Sequence, residues 1–383
     1  KFNPYALEAE ARGIKIYRLN IGQPDIETPP CFMDAIRNYD EEVITYAESG
    51  EVAELQDAIC DYFKAYGMDF ERDEVMVTNG GSEALTMVFN SILDPGDEII
   101  TAEPFYANYQ TFVTTADGVI VPMTTRAEDG YDYADAELIE SAITDKTRAI
   151  ICTSPGNPTG RVLSMDDIRL IGELAIKHDL WIVADEVYRE FAYDGKDITS
   201  FGMVPGDRRQ SHPHRLGVEE ILGMRRKSRM HRQRKRGVLM DNVMKIAQGR
   251  LCCPTLDQIG AAALYRLDRS YYDKAREEYE ARRDAVYDEL MKIPDIVCKK
   301  PGGYVLHHGK AAGRQHRGLP DVPAERIQRK CNGETVMFSP AEGLYATQGL
   351  GKDEIRIAYV LNRNDMRRGV ELIRLGMEQY KNR

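Results

Sequence analysis

The feature that most constrains this chain is the alternation, through its first half, of short apolar runs with stretches patterned for helix. Residues 75–78 (VMVT), 98–101 (EIIT), 119–122, 149–153 (AIICT) and 180–184 (LWIVA) have strand length, and most are rich in β-branched residues. Between them, 83–93 and 165–178 repeat apolar residues at helical spacing, and Ser82 stands where an N-cap would. Apolar strands separated by helices predict βαβ units, and hence a parallel sheet covered on both faces. The 383 residues leave room for two or three domains. Beyond residue 270 the pattern changes to a long charged helix (271–292), a strand (354–360) and a closing helix (363–379), which predicts a smaller second domain.

Charge and cysteine usage narrow the function. Lys and Arg number 51 against 62 Asp and Glu, a formal net charge of −11, which argues against a general nucleic-acid binder. No apolar run reaches the ~18–20 residues of a membrane span. No charged-then-apolar leader opens the chain, and Lys1 in place of Met suggests residues before it. Cys31, Cys60, Cys152, Cys252, Cys253, Cys298 and Cys331 are odd in number and form no CxxC pair, so they read as reduced thiols of a cytoplasmic protein without a zinc site. The adjacent Cys252 and Cys253 admit a metal or redox reading beside that of small buried hydrophobes. His178 reads as surface and Trp181 as core.

Four motifs fall at predicted strand ends, the edge where open α/β sheets bind ligands. Thr78-Asn79-Gly80-Gly81-Ser82 is a glycine turn entering a helix, suited to an anion or to nothing more than a βα connection. Glu103-Pro104-Phe105-Tyr106 places aromatics after a strand, alone a core feature. Ser154-Pro155-Gly156-Asn157-Pro158-Thr159-Gly160 is a stiff turn presenting an amide, and Ala184-Asp185-Glu186-Val187-Tyr188 ends an apolar strand in a carboxylate.

With NIGQPD (20–25), TNGGSEAL (78–85), EPFYANY (103–109), SPGNPTG (154–160), ADEVY (184–188) and EIRIAY (354–359) in this order, the chain resembles the class I, aspartate-aminotransferase-like enzymes. These depend on pyridoxal 5'-phosphate (PLP). The resemblance implies fold type I: α/β, with a mainly parallel central sheet sandwiched by helices plus a smaller α/β domain. It places the large PLP-binding domain at 35–270 and the small domain at 1–34 and 271–383. It implies transfer of an amino group between an amino acid and a 2-oxo acid by a ping-pong Schiff-base route, in a homodimer, with no metal. Gly81 and Ser82 would bind the cofactor phosphate, and Tyr106 would stack on the ring. Asp185 would pair with the ring nitrogen and keep it protonated. Asn157 and Tyr188 would hydrogen-bond the phenolate oxygen. Arg356 would grip the substrate carboxylate, where its residue type alone would suggest a surface ion pair. Gly22 would let the N-terminal segment close over substrate, and Tyr46 would reach the neighbouring subunit's phosphate, although alone it reads as packing. A C–S lyase of the same fold and an inactive homologue are the alternatives.

One element of the pattern is missing. The family places its Schiff-base lysine in an SxxK segment after ADEVY, followed by Gly-x-Arg-x-Gly, and this sequence has neither. That region is compositionally aberrant: Asp207–Arg236 carries eleven Lys or Arg and three acids, and 307–330 is polar, basic and aperiodic. Six of the seven histidines lie in these two stretches. Codons permitted for residues 211–226, read one base later, give VILIDSVSKRYSACG, a strand running into SxxK with its lysine codon straddling Glu219 and Glu220. The same shift across 303–329 permits AMFYIMAKLPVDNTEDFQMFLLKEFSE. The two stretches therefore read as one-base shifts, in the gene or in the sequence read from it. Taken literally they remove the nucleophile, for which nothing positions Lys227 or Lys235 as a substitute. Pro213 and the charges would then turn a central strand into loop.

Overall fold

The computed structural model describes residues 3–22, 25–49, 52–204, 214–217, 221–222, 231–303, 306–311 and 333–381. In chain order the elements are α1 (Asn3–Ala11), β1 (Lys15–Arg18), α2 (Pro30–Arg37), α3 (Ala53–Ala65), β2 (Val75–Met76), α4 (Gly81–Ile92), β3 (Glu98–Glu103), α5 (Asn108–Thr115) and β4 (Val119–Thr124). There follow α6 (Ala136–Ala142), β5 (Thr147–Thr153), α7 (Met165–Lys177), β6 (Trp181–Asp185), β7 (His214–Gly217), β8 (Ile221–Leu222), α8 (His231–Arg250), α9 (Thr255–Tyr265) and α10 (Arg269–Leu290). The chain closes with β9 (Ile296–Val297), β10 (Leu306–Ala311), β11 (Glu334–Met337), β12 (Ser339–Pro340), β13 (Glu354–Ala358) and α11 (Arg363–Lys381).

The larger sheet has the order β4-β3-β5-β6-β7 and is parallel throughout. β3, β5 and β6 bury both faces by strict alternation. Ile99, Ala149, Ile151 and Val183 pack with α4, α5 and α8 on one side. Ile100, Ile150, Cys152, Ile182 and Ala184 pack with α6 and α7 on the other. That is why the runs carry no polar alternation. Helix α7 starts in a capping box: Ser164 Oγ accepts from Asp167 N, and the Asp167 carboxylate accepts from Ser164 N.

A second core joins Leu19 and Tyr193 to α10, β13 and α11. Its sheet, β12-β13-β10-β9, is antiparallel, while β1 pairs with β11 in parallel. The N-terminal segment thus packs with the C-terminal third.

Three expectations need correction. Helix α4 begins at Gly81 with Gly80 as its N-cap, so Ser82 lies one residue inside the helix. Gly80 takes φ +81°, a left-handed value that any Cβ would strain, and this lets the chain turn there. Residues 214–217 form β7, parallel to β6 with His214 opposite Trp181, where a loop was expected. Residues 306–311 likewise form β10 rather than aperiodic chain. Pro213, Glu219, Glu220, Lys227 and Cys331 lie outside the described residues.

Trp181 is partly buried against the first core. His178 caps the end of α7, with its Nε2 3.3 Å from a Glu140 oxygen. Among the described residues every cysteine is a free thiol, and no helix is long and apolar enough to cross a membrane.

Candidate active site

Three segments leave the C-terminal edges of adjacent strands: 104–109 after β3, 154–160 after β5 and 186–188 after β6. Thr153 and Asp185, the last residues of β5 and β6, stand opposite one another in register. Asp185 is 7% exposed, and among the described residues no cation pairs with it. The buried hydroxyl of Tyr109 donates to Asp185 Oδ2, and Tyr109 Oη lies 2.9 Å from Thr153 Oγ1. Val187 N donates to Oδ1 at 3.4 Å. Burial pushes the Asp185 carboxyl above the usual carboxylate range, and the Tyr109 hydrogen bond opposes that rise. Among the described residues, then, the charge of this carboxylate has no counterion.

The turn after β5 is held from several directions. Leu163 N donates to Ser154 Oγ at 3.0 Å, Gly156 N to Arg161 O at 2.8 Å and Gly160 N to Gly156 O at 2.7 Å. Gly160 has φ +68°, and a Cβ there would fall 2.5 Å from Pro301 Cβ, so glycine is required by both conformation and packing. Within this frame Asn157 Oδ1 is buried with no hydrogen-bond partner among the described residues. Below β6, Glu186 anchors the following loop, accepting from Arg189 Nη1 (3.1 Å), Ser200 Oγ (2.6 Å) and Phe201 N (2.9 Å).

Tyr106 lies edge-on to Tyr109, ring centroids 5.5 Å apart at 85°. Arg356 reaches the same neighbourhood from β13, its charge interacting with Tyr188 and Tyr106. β13 is paired on both sides, by β12 and β10, so Arg356 is not the edge-strand surface residue its type alone would suggest. Its Nη2 donates to Asn20 O (3.1 Å) and Ser339 Oγ (3.2 Å), while its Nε is buried with no hydrogen-bond partner among the described residues. Burial lowers its pKa. Asn20 Oδ1 is likewise buried and unpartnered. A half-buried guanidinium facing a carbonyl and a hydroxyl, with no carboxylate among the described residues, is costly unless an anion completes it.

The structure thus gathers Tyr106, Asp185, Tyr188 and Arg356. Gly22 is exposed, two residues from Asn20. Gly81 and Ser82 open α4, and among the described residues no side chain caps that helix start. Tyr46 stands apart at 79% exposure, in a segment with exposed Val43 and Ile44.

Three residues escaped the sequence reading. Tyr109 and Thr153 serve Asp185, and the signal was present: Tyr109 follows Tyr106 by three residues on the incoming turn of a helix, and Thr153 is the polar end of an apolar strand. Glu103 is fully buried and accepts from Ala346 N (2.9 Å), Thr347 N (3.0 Å) and Thr124 Oγ1 (2.7 Å). It fastens the 344–347 loop to the end of β3, a contact between distant residues that no local pattern announces.

Comparisons with known proteins bear on the family and the fold. The family model described as aminotransferase class I and II matches residues 14–220. An aspartate aminotransferase of Bacillus subtilis is 29% identical over 98% of this chain and 94% of its own length. An aspartate/prephenate aminotransferase of Thermus thermophilus is 30% identical over 79% of each. Among solved structures, an alanine aminotransferase from Pyrococcus furiosus superposes with a TM-score of 0.84 at 26% identity, covering 98% of this chain and 95% of that one.

Proposed function

The chain belongs to the class I and II aminotransferases, a PLP-dependent family with the fold type I architecture described above, and from that premise we propose how its own residues divide the work. The observation that carries the reading is a pair of charges, the buried Asp185 and the half-buried Arg356, for which the described residues supply no counterion, in a region that also holds amide oxygens of Asn157 and Asn20 with no partner among those residues. A cationic ring nitrogen would satisfy the first charge and a substrate carboxylate the second. These groups fit PLP and an amino acid together.

When bound, PLP supplies a ring that withdraws electrons from the amino acid's α-carbon. Asp185 holds the proton on the ring nitrogen, and Tyr109 with Thr153 keeps that carboxylate aimed. Tyr106 stacks on the ring and fixes its plane. Asn157 and Tyr188 hydrogen-bond the phenolate oxygen. Gly81 and Ser82 receive the phosphate at the start of α4. Arg356 clamps the α-carboxylate through its planar fork, with Asn20 O and Ser339 Oγ fixing the guanidinium. Gly22 permits closure over the bound amino acid. The lysine that moves the α-proton belongs near Glu219 and Glu220, in the one-base-shifted reading of that stretch.

The large unit is residues 35–270 and the small one 1–34 with 271–383. The enzyme acts in the cytoplasm as a homodimer, with the exposed Tyr46 and its apolar neighbours reaching the partner's phosphate. Incubation with PLP, an amino acid and a 2-oxo acid should give the exchanged pair. Release of pyruvate and ammonia, or no transfer by a lysine-containing chain, would overturn the assignment.

A further inference from the structure

Helix α8 ends directly beneath the turn that opens α4. Its last residue, Arg250, is mostly buried and touches that turn in two places. Nη2 donates to Val77 O at 2.8 Å, immediately before Thr78, and Nε lies 3.4 Å from Glu83 Oε1, an ion-pair contact. Nη1 rests 2.9 Å from Cys253 Sγ. The other oxygen of Glu83 accepts from Asn79 N at 2.6 Å.

Glu83 presents a difficulty. It is the third residue of α4, so its carboxylate sits in the helix's first turn. That is the end whose N–H groups and dipole would draw in a phosphate. A carboxylate there repels a dianion unless it is neutralised. Among the described residues Arg250 is the cation paired with it. Gln258 braces the same corner: its Nε2 donates to Cys253 O at 3.0 Å, and its Oε1 accepts from Val52 N.

We propose that Arg250 is a positioning residue for the cofactor's phosphate, neutralising Glu83 and pinning the Val77 carbonyl so that the turn 78–82 can accept a dianion. This rests on the reading of Gly81 and Ser82 as phosphate contacts.

The test compares PLP with pyridoxal, the same ring without phosphate, by equilibrium dialysis against the full chain. Arg250→Met should weaken PLP binding about tenfold and leave pyridoxal within about twofold, as expected for losing one short-range charge partner. Glu83→Gln in that background should restore most of the PLP affinity, and Glu83→Gln alone should tighten PLP a few-fold. Equal losses for both ligands, or no rescue by Glu83→Gln, would make Arg250 a packing residue and overturn the proposal. Should Arg250→Met fail to fold, the Glu83→Gln single variant decides alone: unchanged or weaker PLP binding overturns it. Ser82→Ala separates the two levels. If Ser82→Ala lowers the PLP preference and Arg250→Met does not, the brace is wrong; if neither does, the turn is not the phosphate site and the brace falls with it.

Discussion

Strands β6 and β7 lie side by side in one parallel sheet, with Trp181 to Ala184 paired in register to His214 to Gly217. They could hardly differ more in composition. WIVAD is apolar up to its terminal carboxylate, and Ile182 and Val183 are fully buried. HRLG sets Arg215 opposite Ile182 and follows directly on Pro213. The contrast separates two requirements that usually coincide. A parallel ladder needs only backbone N–H and C=O groups, which any residue but proline supplies, and β7 begins immediately past the proline. Burial on both faces needs apolar side chains, and there β6 qualifies where β7 does not. The ladder thus runs on through a segment whose composition is unlike that of its neighbour.

The sharpest way to break this comparison is to rewrite the segment. A chain carrying the shifted reading over 211–226 places a lysine where the family has its nucleophile. It should gain at least the ~10²–10⁴ in rate that a positioned proton shuttle supplies. Borohydride reduction followed by intact-mass measurement should find PLP attached to that lysine. No gain in transamination would show that residues 211–226 as they stand in this sequence are the working ones. Intact mass of the natural protein decides the same point from the other side.

Next in size is a test confined to the well-formed edge, independent of any lysine. Arg356→Lys should weaken binding of a 2-oxo acid by roughly 10–100-fold, the cost of losing charge-assisted, forked hydrogen bonds. Binding of a neutral analogue lacking the carboxylate should be unmoved. Equal weakening of both would mean that Arg356 holds the fold rather than the ligand.

The same contrast explains what could be read in advance. The parallel sheet was legible because strands buried on both faces must be continuously apolar, as Ala149 to Cys152 and Ile182 to Ala184 are. Asp185, Tyr106 and Arg356 were legible through motifs. Tyr109 carries no such signal, since a tyrosine near the start of a helix reads as core until its hydroxyl is seen to meet Asp185. Glu103 and Arg250 depend on partners 243 and 173 residues away, which periodicity cannot report. Composition does not report β7, because the backbone ladder to β6 forms whatever side chains 214–217 carry.

Tyr109→Phe probes the support beneath the intact edge. It removes one hydrogen-bond donor from a buried carboxylate, a change of about 1–3 kcal/mol. Because that bond opposes the upward push of burial, the Asp185 carboxyl should rise further. A pH titration of ligand affinity should therefore move to higher pH in the variant; a profile that stays in place would show that Asp185 is held by other means.

The smallest effect belongs to Asp185 in the cofactor-free chain. Its folded-state pKa is raised above the usual carboxylate range, chiefly by burial. The folded state then binds its proton more tightly than the unfolded chain, so its favourable contribution is complete below the ordinary carboxylate pKa. That contribution is lost as pH climbs through the raised value. Asparagine keeps an oxygen to accept from Tyr109 and carries no charge. Asp185→Asn should therefore leave Tm nearly unchanged at pH 4 and raise it by about 2 °C at pH 7.5, while PLP added to the unaltered chain should recover the same stability by supplying the missing cation. An equal shift at both pH values would mean that the substitution acts through packing. A loss at pH 7.5 would mean that Asp185 already has its counterion, leaving β6 no better prepared for a cofactor than β7.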